Sequence, residues 1–344
     1  MNKLASRNLN IELIRIMAML LIVVGHIAGY YIPTATDASS LLKTCCTTVC
    51  FFIPFHVNLF ILISGYCGIK RWSNIIKIWG LLLSTQLCIT GIAYIFNLDT
   101  HYSWQAYVFP LTHNDWWFMR IYIMLCVIAP AIEHFINYSR TQDVYVITIA
   151  LLCLDIYFGF IHRVPTINDD GYNLLHFLTI YLTGCLLRNN LSIVCKKQKL
   201  LVFAIVSLAF LKAVWHLVLS YFNIDDHYTD YNNPFNIIFS ILIFGFMMNL
   251  KCHAKWITII SSSVISVYLI SEAPPIKTWL VQMCTDSIAN IDSFSQELFF
   301  IGFLWIAIFI ISIIIDKIRI LIFSPIIQSI TKLSDKIIIH TDHR

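Results

Sequence analysis

Charge is what this chain most lacks. Asp, Glu, Lys and Arg make up only 12% of its 344 residues, about half the ~25% usual in a soluble domain. That shortage argues against a soluble domain, and a mean hydropathy of +0.76 points the same way. Metal and nucleotide motifs are missing too. The chain has no H-E-x-x-H, no P-loop and no G-x-G-x-x-G, so zinc-hydrolase and nucleotide-binding readings have no motif to rest on. His162, His176, His227 and His253 lack ligand-like spacing. The eleven cysteines are odd in number, scattered and free of any C-x-x-C pair. We read them as packing residues, with no disulfide framework or metal site. No repeat of fixed period and no low-complexity linker divides the chain. No small-residue cleavage site follows the first apolar run, so we read that run as a retained span.

Long apolar runs are what the chain has instead. A span of the bilayer needs roughly 20 apolar residues. Ten segments read as spans: 11–31, 45–67, 75–97, 116–137, 143–161, 173–188, 200–222, 234–250, 256–276 and 295–315. The expected fold is all-α, a polytopic integral membrane protein with about ten transmembrane helices in one bundle over 1–315. Residues 316–344 read as a cytoplasmic amphipathic tail.

Basic residues accumulate on the cytoplasmic side of a membrane protein. With the N-terminus placed there, seventeen of the 23 Lys and Arg residues fall in cytoplasmic segments, from Lys3 and Arg7 to Arg344. Only Lys43, Arg163 and Lys277 fall in outer loops, which carry acids such as Asp99, Asp169 and Asp225. The expected location is the inner (plasma) membrane with both termini cytoplasmic. The net charge of +4 is an orientation signal, and no nucleic-acid partner follows from it.

Ionisable residues inside a membrane helix are costly and mark functional positions. The first span carries Arg15 and, eleven residues on, His26. That spacing returns both to nearly one face, about 16 Å apart along the axis. A histidine can accept a proton from a hydroxyl near neutral pH; the competing reading is a histidine bonded to a backbone carbonyl. Arg15 suits a phosphate or carbonyl oxygen, or a pair with Glu12 three residues before it. Ser64-Gly65 at the end of the second span offers either close helix packing or a hydroxyl and bare backbone beside a ligand. Lys70 and Arg71 follow. They are either anion contacts or topology signals. Asp115-Trp116-Trp117 with Arg120 reads as a sugar-binding group or as an interfacial aromatic belt. Lys212, mid-span, should meet a buried partner, with Glu272 and Glu12 as candidates.

Together these features resemble the membrane-bound acyltransferase-3 family, of the surface-polysaccharide O-acetyltransferase type. Arg15 and His26 match its Arg-x10-His spacing. Ile11-Glu12-Leu13-Ile14-Arg15 is similar to its Leu-Asp-Gly-Leu-Arg, and Leu59–Tyr66 to its Phe-Phe-x-x-Ser-Gly-Phe/Tyr. Trp117-Phe118 with Tyr122 and Pro130 resembles its Trp-Phe…Tyr…Ser-Pro helix, and Tyr181-Leu182-Thr183-Gly184 its Tyr-Leu-x-Gly. Tyr268-Leu269-Ile270 resembles its late Tyr-Leu-x-His, with Ser271 in the histidine's place and Glu272 after it. The family's Arg-x-x-Arg after the second span is only Lys70-Arg71 here.

The resemblance implies an acyltransferase that draws on cytoplasmic acyl-CoA, most often acetyl-CoA, as a donor substrate and binds no cofactor. The acceptor would be a hydroxyl of a cell-surface or lipid-linked polysaccharide. His26, Arg15 and Glu12 are the expected catalytic residues. Arg15, Ser64, Gly65, Lys70 and Arg71 are the expected donor contacts, and Asp115, Trp116, Trp117 and Arg120 the acceptor contacts. The alternative is a transporter or flippase for a lipid-linked glycan, which would also carry intramembrane Arg, His and Lys. Transporters often pair Gly/Pro-broken helices in two halves, and no such pairing is visible.

Overall fold

The computed structural model describes residues 8–98, 104–168, 170–194 and 197–341. Of the charge asymmetry, Lys3, Arg7, Asp99, Asp169, Lys196 and Arg344 lie outside the described residues. Every regular element among the described residues is helical, as expected of a chain whose backbone polar groups must be satisfied without water. The main helices are α1 (Leu9–His26), α2 (Ser40–Phe52), α3 (Phe55–Cys67), α4 (Ser73–Ile95), α5 (Trp117–Tyr138), α6 (Thr141–Ile156) and α7 (Leu174–Val194). They continue as α8 (Gln198–Tyr221), α9 (Pro234–Met248), α10 (Trp256–Ser261), α11 (Val264–Ser271), α12 (Pro274–Ile288) and α13 (Phe294–Thr341). Two π turns, Ile27–Tyr31 and Tyr157–Ile161, follow α1 and α6 directly.

The expected count of ten spans is corrected. Seven helical spans among the described residues are long and apolar enough to cross a membrane, and eight if one bent pair counts as a span. The ninth expected segment is that bent pair: Trp256–Ser271 and Pro274–Ile288 meet at 77°. Pro274 and Pro275 start α12, and because proline lacks the backbone N–H that continues a helix, α11 ends before them. The expected outer loop after residue 276 is therefore mostly helix α12. The eighth segment, α9, has 15 residues, about 22 Å at 1.5 Å per residue. The sixth, α7, is interrupted by non-helical backbone at Asn190. The last helix does not end near 315 but runs on for 48 residues.

The chain forms two compact units. The first holds Met1–Gly25, Thr47–Gly68 and Glu133–Ser262. Its densest packing is α3 on α7, and two glycines make that approach possible. A Cβ on Gly65 would overlap the Tyr181 carbonyl, and one on Gly184 would overlap the Leu62 carbonyl. Small residues at such crossings let membrane helices touch backbone to backbone. Buried polar groups here are paired, as they must be. His176 Nδ1 lies 2.8 Å from Asp155 Oδ2 and its Nε2 lies 2.8 Å from Asn58 Oδ1. Lys212 Nζ donates to the Phe51 and Tyr228 carbonyls and to Asn236 Oδ1. Its partners are thus neutral oxygens, where the sequence led us to expect Glu272 or Glu12.

The second unit holds His26–Cys46, Ile69–Ile132 and Ser263–Arg344. Here α13 packs along α4, and α11 packs against both. Asp316 Oδ1 accepts from Arg319 at 2.8 Å and from Ser266 at 2.5 Å, and Arg319 also reaches Ser84. Removing one member would leave the other charge buried and unpaired, a costly state.

Candidate functional site

In the second unit, α1 ends at His26 and the π turn Ile27–Tyr31 follows at once. Single π turns inside helices occur often at functional positions. His26 Nδ1 lies 2.8 Å from Glu272 Oε1. The two atoms are in ion-pair contact but out of line for a directed hydrogen bond. The other carboxylate oxygen, Oε2, lies 2.9 Å from Lys277 Nζ. Glu272 is buried, while the His26 and Lys277 side chains keep 17% and 27% of their surface exposed. His26 Nε2 takes no hydrogen bond among the described residues. One imidazole nitrogen is thus oriented by a carboxylate and the other is free, the arrangement of a histidine base.

Aromatic rings enclose this group. Tyr30 and Tyr268 stand 5.8 and 6.4 Å from the His26 ring. Lys277 lies 5.3 Å over the Tyr30 ring, a cation–π distance. Buried Tyr31 is held against Glu272. Phe118 stands edge-on to Tyr268 and stacks on Tyr122. The sequence did not single out the roles of Glu272 and Lys277. A carboxylate followed by Ala-Pro-Pro inside an apolar run was the available signal.

The Asp115-Trp116-Trp117-Arg120 group stands beside this site within the same unit. Trp116 is fully buried and donates its Nε1–H to the Leu269 carbonyl at 3.0 Å. It pins the last turns of α11, three residues before Glu272, and its ring is enclosed. Arg120 donates to the Leu111 and Asn114 carbonyls. Asp115 is exposed and close enough to Lys277 to act on it electrostatically. Trp117 is half-buried, edge-on to Phe118. Lys70 and Arg71 are both exposed, with no ion pair among the described residues.

The remaining expected site residues lie in the first unit. Glu12 is buried, and Arg15 Nη1 donates to both of its carboxylate oxygens at 3.1 Å. Arg15 keeps 33% of its side-chain surface exposed, and its Nε and Nη2 take no partner among the described residues. Ser64 Oγ donates to the Phe60 carbonyl one turn back. The Gly65 carbonyl accepts from Arg188, which also pairs with Glu133. Arg188 and Glu133 were not foreseen from the sequence, because their pairing joins residues far apart in the chain.

These features define a polytopic, all-α membrane protein with a carboxylate-paired histidine. Over residues 8–317 the sequence matches the acyltransferase domain of the acyltransferase-3 family, and the chain belongs to that family. No curated protein and no solved structure matches it.

Proposed function

We propose that this protein is a membrane-bound O-acyltransferase that moves an acetyl group from cytoplasmic acetyl-CoA to a hydroxyl of a cell-surface or lipid-linked polysaccharide. Membership of an acyltransferase family supports the reaction class. The observation that carries the mechanism is the His26–Glu272 pair with its second ring nitrogen free.

In this reading Glu272 favours the tautomer with hydrogen on Nδ1, leaving the Nε2 lone pair to accept a proton. The acceptor hydroxyl gives its proton to Nε2 as its oxygen bonds the thioester carbonyl carbon. The tetrahedral oxyanion then collapses and the C–S bond breaks. The departing thiolate takes the proton from His26, giving free CoA thiol and an ester. Direct transfer fits a site whose base stands next to no serine or cysteine nucleophile in the sequence.

Arg15, with a guanidinium only partly engaged by Glu12, is the proposed contact for an oxygen of the donor. Lys70 and Arg71 are proposed contacts for its phosphates. Asp115 and Trp117 are proposed acceptor contacts, and Lys277 adds a cation beside them. The test is mass spectrometry of the host's surface and lipid-linked glycans with and without the protein. Loss of one ester class on deletion, restored by wild type but not by His26→Ala, is the expected result. An unchanged ester profile combined with altered glycan export would favour the transporter instead.

A further inference from the structure

The bend between α11 and α12 has two sides. At its apex Glu272 meets His26. Away from that contact, the missing helical turn leaves an apolar cavity of about 500 Å³ within the second unit, lined by α4, α11, α12 and α13. Its inner wall is buried and includes Ser271, Ile276 and Leu280. Its rim carries Phe96 and Phe303, 67% and 65% exposed. In a membrane-spanning bundle such rim residues face hydrocarbon. The volume lies in the range of small-molecule pockets, which are mostly apolar with a few polar groups. Ser271, on the wall, is the residue before Glu272.

We propose that this cavity holds a hydrocarbon chain of the acceptor, so that the hydroxyl to be acylated is presented on a membrane lipid. The inference rests on the acyltransferase reading and narrows its acceptor. Two features choose this occupant. The rim is open on the apolar side, so a chain already in the bilayer slides in sideways, whereas a CoA thioester comes from water. The inner wall ends one residue from the carboxylate that orients His26, so a chain seated there carries its polar head toward the base.

The test uses the full chain in liposomes with a photoreactive probe, hexadecyl phosphate carrying a mid-chain diazirine, and adducts mapped by mass spectrometry. Ala307→Phe and Ser312→Phe fill the cavity from α13, where both residues line it. Gly302→Phe adds the same ring to α13 in open space, since a Cβ there meets nothing within 4 Å. Adducts should concentrate on the α12 and α13 stretches that line the cavity. They should fall at least fivefold in Ala307→Phe and Ser312→Phe and stay unchanged in Gly302→Phe.

In cells, ester content of the organic-extractable glycan should fall at least fivefold in the two filling variants, with acetyl-CoA binding retained. Ala307→Val, a milder filling, should give an intermediate loss at wild-type thermal stability. Adducts spread evenly over lipid-facing helices would overturn the inference and make the occupant ordinary bilayer lipid. So would filling variants that lose acetyl-CoA binding, or that acylate the organic-extractable glycan normally. Cavity-specific adducts in a protein that forms no ester in any pool would instead sink the acyltransferase reading while keeping a lipid site.

Discussion

Glu272 divides its two carboxylate oxygens between His26 and Lys277, at 2.8 and 2.9 Å. One buried acid therefore holds an imidazole and an ammonium at once. Its negative charge is balanced without requiring His26 to carry a proton. This relationship makes the first two predictions.

His26→Ala should lower acyl transfer by at least about a hundredfold, the scale of a lost general base. Alanine is the best helix former, so α1 should still insert. The measurement is glycan ester content in cells with matched protein levels. Normal ester content in the variant would remove His26 from the mechanism.

Glu272→Gln keeps the shape and loses the charge. Acyl transfer should fall about tenfold or more, within the range of general acid–base effects, with the KM for acetyl-CoA little changed. Steady-state kinetics on reconstituted protein reads both numbers. A rise in KM with kcat intact would make Glu272 a binding residue and not an orienting one.

The pairing behind these predictions was only half legible in the sequence. His26 stood out because an ionisable group in an apolar run is costly, and because Arg15 stood at a helical interval from it. Glu272 did not, because the reading carried one span from 256 to 276 straight across Pro274 and Pro275. Two adjacent prolines after a carboxylate are a stop signal for a helix, and that local cue outweighs the apolar run around it. Most long helices were legible from length and hydropathy alone. Lys212 shows the opposite limit. Its partners are mostly backbone carbonyls, and these leave no residue-type signature to search for.

Arg15→Ala should weaken acetyl-CoA binding more than Arg15→Lys, because lysine keeps the charge but loses the planar fork. Isothermal titration in detergent compares them. Equal losses would assign the effect to charge alone, and no loss would leave Arg15 as the partner of Glu12.

Gly65→Ala tests whether this residue is a packing position. Its added methyl would overlap the Tyr181 carbonyl, whereas the same methyl on Gly91 meets nothing within 4 Å. Gly65→Ala should destabilise by about 1–3 kcal/mol, as overpacking does, and Gly91→Ala by much less. Thermal unfolding in detergent measures both. A stable Gly65→Ala protein with weakened acetyl-CoA binding would return Gly65 to the donor site.

Orientation has its own test. Cys67 is exposed at the end of α3, on the side the basic residues mark as cytoplasmic. Cys284 is buried and unsuited as the outer reporter, so Asn290→Cys, exposed after α12, replaces it. In a protein with only these two thiols, a membrane-impermeant reagent should reach Cys67 from inverted vesicles and position 290 from right-side-out ones. The reverse pattern would turn the topology over.

The π turn after His26 has a consequence for the chain's reading frame. Its closing bond runs from Ile32 back to Ile27, one residue farther than an α-helical bond reaches. Five residues fill a turn that four could close. The helix before His26 and the chain after Tyr31 are therefore out of phase by one residue, about 100° of rotation. Deleting a single residue from 27–31 would let the backbone relax into an ordinary helix. The same deletion would swing everything beyond it around the axis and carry Tyr31 away from Glu272. A change the helix could absorb would thus break up the setting of its histidine.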